Sequence, residues 1–369
     1  MKVIGLEVFQ IRIPFKKPFQ FGHTVQENRD HIIVSVHADQ RIGWGEAGLL
    51  KWPFYNAETT AGAFQVVKDV LAPILVGNEI RCPQDLQSMF SQVIGNRMAQ
   101  AAVDFAVWDL FAMSSGVSLS EYIGGTRESI PVGISLGQRA TAQEFVDAVE
   151  EALGRGFKRI KCKISPGFPI ELLEDVRRRH PELPLSVDAN GTFSAANFDE
   201  LCRYDSLSLT MIEQPFHPKD FLLSAELQKS IHTDICLDES IEDLFDLELA
   251  HHLKAGKSIN IKPARVGGLT QSIAIRDRAL EMGLSVWVGG LMETGIGRAV
   301  NLAFASTVDE AFPHDIAECG RYCSDELVKE VFCLMPHARL KVPVERSGLG
   351  VTVNQEALSR YTVEHARVF

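Results

Sequence analysis

The sequence predicts an α/β fold, a parallel βα barrel joined to an α+β capping domain, on three observations. Lys163, Asp188, Glu213, Asp238 and Lys262 are separated by 25, 25, 25 and 24 residues, and each ends a short apolar run: FKRIKCK, LPLSVD, LSLTMIE, TDICLD and KSINIK. One strand plus one helix takes about this many residues, so the interval marks successive turns of a barrel. Strand-like and helix-like texture alternates from IPVGISLG (130–137) to GLSVWVGG (283–290), the rhythm of a parallel sheet. Finally, 369 residues exceed a barrel of roughly 200–250, which leaves room for a second domain.

Residues 3–13 and 31–38 alternate like antiparallel strands, and DQRIG at 39–43 reads as a turn leading into GWGEA. From about Asn56 the texture becomes helical, and MAQAAVDFAVWDLFA (98–112) has apolar residues at helical period. Residues 1–125 are therefore expected to form the capping domain. Within 126–338, helix-forming stretches such as TAQEFVDAVEEALGRG and FPIELLEDVRRRHPEL separate the barrel strands. Residues 339–369, with the hairpin-like VPVERSGLGVTV, are expected to return to the cap.

Composition narrows the partners. With 37 basic against 48 acidic residues the net charge is −11, and no basic tract or aromatic-basic stripe offers a nucleic-acid footprint. No segment approaches a membrane span, and MKVIGLEVFQIRIPFKKPF alternates where a secretory signal would be continuously apolar. The seven cysteines are scattered without a CxxC pair, which fits reduced thiols in the cytoplasm. The expected partner is a small carboxylate substrate or a metal, with a homo-oligomer as the expected assembly.

Lys161 and Lys163 are two apart on one strand and share a face, while Cys162 takes the other. If Ile160 and Ile164 pack under helices, both lysines point into the barrel mouth; alone, a KxK pair would read as a solvated edge strand. Asp188, Glu213 and Asp238 come from three consecutive strands. Three carboxylates in one mouth repel unless a cation sits among them, and an oxygen-only set suits Mg²⁺ or Mn²⁺. The competing reading has each acid capping the helix that follows it.

Lys163 falls on the second barrel strand and Lys262 on the sixth, so they face each other across an eight-strand ring. That arrangement suits taking a proton from one side of a carbon and returning it from the other. The enediolate so formed would be stabilised electrostatically. A charged Lys161 beside Lys163 would favour the neutral amine that a base needs.

Other residues carry weaker signals. Asn190 shares the face of Asp188 but also sits in a turn-like DANG. Glu239 is expected to face away as a partner to the metal set, and Arg265 to tune Lys262. The glycine-rich RVGGL and GGLMETGIG loops offer backbone N–H groups to a substrate. Aromatic residues of 14–24 and 49–55, among them Phe19, Phe21, Trp52, Phe54 and Tyr55, are candidates to cover the mouth. His251 and His252 read as surface residues. Asp315, His314, Cys319 and Cys323 lack convincing metal-ligand spacing.

Taken in order, KCK, SVDAN, IEQP, CLDES and NIKPARVGG resemble the muconate-lactonising subgroup of the enolase superfamily, and the resemblance extends to the GWGEA of the cap. NIKPARVGG with VGGLMETGIGRA and FPHD is similar to the o-succinylbenzoate synthase and N-acylamino acid racemase family. The resemblance implies a modified (β/α)7β barrel whose cap is built from both chain ends. It also implies Mg²⁺ on Asp188, Glu213 and Asp238, Lys163 as the α-proton base, and Lys262 facing it. Substrate contacts are expected from Ser135, Asn190, Arg265, Gly290, Met292, Glu293, Thr294, Phe19 and Trp52.

In the synthase reaction implied by this family, Lys163 removes the proton and delivers it to the departing hydroxyl in a syn dehydration, with Lys262 stabilising charge. In racemisation both lysines exchange protons. DANGTF and LMETG depart from the family's usual DAN-x-A-Y and MLETG, which bears on substrate preference. Dipeptide epimerisation and a non-catalytic carboxylate-binding barrel stay open as alternatives.

Overall fold

Alternating apolar residues near the amino terminus build a longer hairpin than the pattern alone suggests. The computed structural model describes residues 1–21, 24–137, 139 and 141–369, with the side chains at 19, 20, 21 and 24 left out. Strand β1 (Val3–Phe21) pairs antiparallel with β2 (Thr24–Ala38), and the register slips between Pro14 and Phe19. Proline lacks an N–H donor, so a ladder interrupted at Pro14 and Pro18 reads from sequence as a loop. Asp39 and Gln40, both at positive φ, make the tight turn into β3 (Arg41–Ala47).

Helix α1 (Arg97–Ser115) lies directly on β3. A Cβ at Gly43 or Gly45 would come within 2.0 Å of a carbonyl oxygen of α1, Ala106 or Ala102. The glycines of GWGEA thus permit a close strand–helix approach. The helix ends at Gly116, whose φ of 73° supplies the left-handed cap.

The barrel strands follow in sequence, alternating with helices. They are β4 (Ile134–Leu136), α2 (Ala142–Gly154), β5 (Ile160–Lys163), α3 (Glu171–Arg179), β6 (Leu185–Asp188), α4 (Phe198–Arg203) and β7 (Ile212–Glu213). Then come α5 (Phe221–Ser230), β8 (Ile235–Leu237), α6 (Leu244–Leu253), β9 (Ser258–Ile261), α7 (Leu269–Glu281), β10 (Ser285–Val288) and α8 (Gly295–Ala305). All seven strands are parallel neighbours in chain order.

His314 and Asp315 close the ring in the eighth place, bridging Val132 ahead of β4 and Gly289 after β10 in parallel fashion. Strand β11 (Thr362–Val368) pairs with β1, giving the antiparallel sheet the order β11-β1-β2-β3. VPVERSGLGVTV is not a hairpin: its residues form turns with single bridges to Ser118 and Val328, because Gly348 and Gly350 both take positive φ and bend the chain.

Within the strands, Ile160 and Cys162 are buried against the helices and the intervening lysines turn inward. The barrel interior has its own small apolar floor of Met211, Cys236 and Trp287, apart from the main core. Trp287 Nε1 donates to Cys236 Sγ at 3.2 Å, so the indole is fixed beneath the mouth.

Candidate active site

The register puts the singled-out charges on one level. Lys163 pairs with Asp188 across β5 and β6, and Asp188 with Glu213 across β6 and β7. Asp238 follows β8 and Lys262 follows β9. The three acids do not cap helices. Of the helices that follow them, α5 and α6 are capped by Asp220 and Asp243, and α4 has no side-chain cap.

Lys161 is the hub of the cluster. Its Nζ lies 2.7 Å from Glu213, 3.1 Å from Asp188 and 2.7 Å from Asp315, above the Trp287 ring. Burial opposes its charge, but Asp315, Glu213 and Asp188 hold it protonated well above the ordinary lysine range. Lys163 Nζ donates to Asp188 Oδ2 at 2.6 Å and to Asn190 Oδ1. Asn190 has a φ of 42° and donates to Glu239, so it is both a turn residue and a member of the cluster.

Lys262 is held more tightly. Its Nζ lies 2.7 Å from Asp238 and 3.3 Å from the Tyr55 hydroxyl, and it stands over the Tyr55 ring. Burial would lower it, but Asp238 prevails and raises it above the usual range. Its side chain is 10 % exposed against 34 % for Lys163, which makes Lys163 the accessible lysine of the pair.

The carboxylates differ sharply. Burial would raise Asp238 and Asp188, but neighbouring cations outweigh it and hold both below the usual range: Lys262 with Arg265 for Asp238, Lys163 with Lys161 for Asp188. Glu213 is pushed up to about 8, first by burial and then by the charge of Asp188. Glu239 does not stand apart: it is buried and raised by burial and by Asp238, and its Oε2 has no hydrogen-bond partner.

Among the described residues no three His, Cys, Asp or Glu side chains stand ready to hold a metal, because ammonium groups occupy the space between the acids. The donor set nonetheless fits a hard divalent cation. It is all oxygen, burial and the charge of Asp188 both raise Glu213, and Asn260 Oδ1 beside Glu213 is a buried acceptor without a partner.

Several expected substrate contacts also have partners within the protein. Arg265 is buried on Asp238 and the carbonyl of Asn260. Glu293 accepts from Leu291 N and Asn301 Nδ2 within its own loop and α8. Thr294 caps α8, and its Oγ1 donates to Glu46 of the GWGEA strand at 2.6 Å. Trp52 is more than half exposed with Lys51 over its ring, and Tyr55 of that loop reaches Lys262 and Arg265. Ser135, Gly290 and Met292 remain partly open. The Phe19 and Phe21 side chains lie outside the described residues.

Asp315 is the residue that motif reasoning set aside. It holds both Lys161 and Arg159, whose guanidinium lies over the Trp287 ring. Its neighbour His314 is buried and driven down to about 3 by burial and by Arg159, so it is neutral, and its Nδ1 accepts from Val288 N. The signal was present: Val288 and His314 extend the interval from Lys262 by two further steps of 26 residues.

Residues 3–124 match the mandelate racemase / muconate lactonizing enzyme N-terminal domain, and residues 144–357 match the enolase C-terminal domain-like family. The chain belongs to the enolase superfamily. Among its relatives in the superfamily, an o-succinylbenzoate synthase of Listeria innocua is 38% identical, covering 95% of this chain and 93% of that one. An N-succinylamino acid racemase of Thermus thermophilus is 35% identical over 98% of each chain. A solved enolase-superfamily structure from Listeria innocua superposes with a TM-score of 0.96 at 36% identity, covering 100% of this chain and 99% of that one.

Proposed function

We propose that this protein is a Mg²⁺-dependent o-succinylbenzoate synthase. The observation that carries the reading is the placement of Lys163 and Lys262 on the second and sixth barrel strands, flanking three strand-end carboxylates. Full-length similarity to synthases supports it. Asp188, Glu213 and Asp238 would hold Mg²⁺, which would supply positive charge to the substrate carboxylate and so acidify its α-proton.

The chain's own residues divide the remaining work. Lys163, oriented by Asp188 and Asn190, is placed to take the α-proton. Lys161 is a fixed cation above Trp287 that favours the developing enediolate charge. Lys262, pinned by Asp238 and Tyr55, presents a positive charge to the opposite face. Lys163 then delivers its proton to the hydroxyl leaving from its own face, and the ring becomes aromatic. Seven free cysteines fit a reducing cytoplasm.

N-acylamino acid racemisation is the second activity, favoured because a lysine faces each side of the mouth and a racemase relative is nearly as similar as the synthases. The test is dehydration of the succinyl-hydroxycyclohexadiene carboxylate, followed by absorbance with Mg²⁺ present and after chelation. Mg²⁺-dependent aromatisation is expected; no aromatisation with Mg²⁺ bound would refute the synthase reading.

A further inference from the structure

Of the four tryptophans, Trp287 alone lies outside residues 1–125. Its neighbours on β10, Val286 and Val288, are buried on one side of the strand, and the two-residue period turns Trp287 to the other, into the barrel. There it is fully buried with Met211 and Cys236 in the small floor beneath the mouth. A buried indole needs an acceptor for its N–H. Cys236 of β8 supplies it at 3.2 Å, which fixes the edge of the ring and leaves its face to other groups.

Two cations of β5 stand over that ring. The Arg159 guanidinium lies 5.0 Å and Lys161 Nζ 5.1 Å from its centre. Every other ring with a cation over it among the described residues carries one. Arg159 and Lys161 are both almost completely buried, and a cation is held most strongly over an indole where water is excluded. Arg159 has little room to move, since a Cβ at Gly133 would come within 2.5 Å of its guanidinium.

Lys161 has three carboxylate partners, Asp188, Glu213 and Asp315. Asp188 and Glu213 are the acids assigned above to Mg²⁺, and charge given to a divalent cation is charge withdrawn from the ammonium. Asp315 remains, and Arg159 shares it. The indole face is the remaining partner. A lysine on a flexible four-carbon stem needs one to keep its charge in a single place beneath the mouth.

We propose that Trp287 is a positioning residue for proton abstraction: the face of its ring sets where the Lys161 ammonium stands, and so how strongly that charge favours the enediolate. The step it serves rests on the function proposed above; the hold of the ring on Lys161 rests on the geometry alone.

The experiment compares Trp287→Phe, which keeps a ring face, with Trp287→Leu, which keeps an apolar side chain without one, on the full Mg²⁺-loaded chain. In Trp287→Leu, kcat for dehydration is expected to fall at least about tenfold with KM changed less than about threefold, while Trp287→Phe stays within about threefold of the parent in both. If the leucine variant does not fold, Trp287→Met replaces it, since its flexible side chain fills irregular space. A double-mutant cycle in denaturant unfolding reads the same contact without turnover. Trp287→Leu should raise the unfolding constant about five- to thirtyfold more in the parent than in Lys161→Met, the scale of a cation over an indole. If the parent turns over neither substrate but the coupling is present, the assigned activity fails and the hold of Trp287 on Lys161 stands. Parental kcat in the leucine variant, equal losses in the phenylalanine and leucine variants, or no coupling to Lys161 overturns the proposal.

Discussion

Lys163 and Lys262 face the same mouth but are held differently, and that difference predicts different consequences of losing them. Lys163 is the more accessible, and Lys262 is locked between Asp238 and Tyr55. Lys163→Ala is expected to lower both dehydration and racemisation by at least about 10³-fold, the scale of a lost general base. Lys262→Ala is expected to abolish racemisation while leaving measurable dehydration; steady-state rates with the two substrates separate these outcomes. Asp315 predicts a stability effect as well. Replacing it by Ala strands Arg159 in the barrel wall and takes one of three carboxylates from Lys161, with an expected loss of about 3–5 kcal/mol in denaturant unfolding. The acids and lysines were legible because their interval is a property of the chain. Asp315 was harder to read: the interval reaches its neighbour His314, but FPHD carries no strand-like run, and its role depends on which strand closes the ring.

At the scale of elements, the cap grips the barrel through carboxylates that fill helix N-termini. Asp104 of α1 accepts from Leu269 N, Thr270 N and Thr270 Oγ1 at the start of α7, and Glu46 does the same for Thr294 and Gly297 at α8. Burial pushes Asp104 up to about 7 from an ordinary 3.8. The folded protein therefore binds the extra proton between about pH 4 and 7, and the stability from this group falls as pH rises through that window. Asp104→Asn removes the dependence: on acidification from pH 8 to 5 the parent should gain in melting temperature relative to the variant. A constant difference at both pH values would contradict the assignment. Gly45 tests the contact between β3 and α1. A methyl group there meets the Ala102 carbonyl, so Gly45→Ala should cost about 1–3 kcal/mol, read by thermal unfolding. GWGEA was legible as the segment after a turn, but its reason for glycine was not, because the helix that needs the space begins about 50 residues later.

For the whole molecule, repetition made the barrel readable and singularity hid the rest. The parallel strands recur at nearly constant spacing, and their inward charges follow from a two-residue period. Contacts made across the cap–barrel seam have no such period. Tyr55 on Lys262 and Glu46 on Thr294 became visible only with the two sheets in place. Motif position alone likewise did not show that Glu293, Thr294 and Arg265 also have partners within the fold. The central claim is that Lys163 removes a proton next to a carboxylate, and its most direct test is α-proton exchange. N-succinylamino acid incubated in D₂O with Mg²⁺ and followed by NMR should gain α-deuterium with the parent protein and none with Lys163→Ala. Exchange in Lys163→Ala at the parental rate, or none with the parent while substrate is bound, would contradict it.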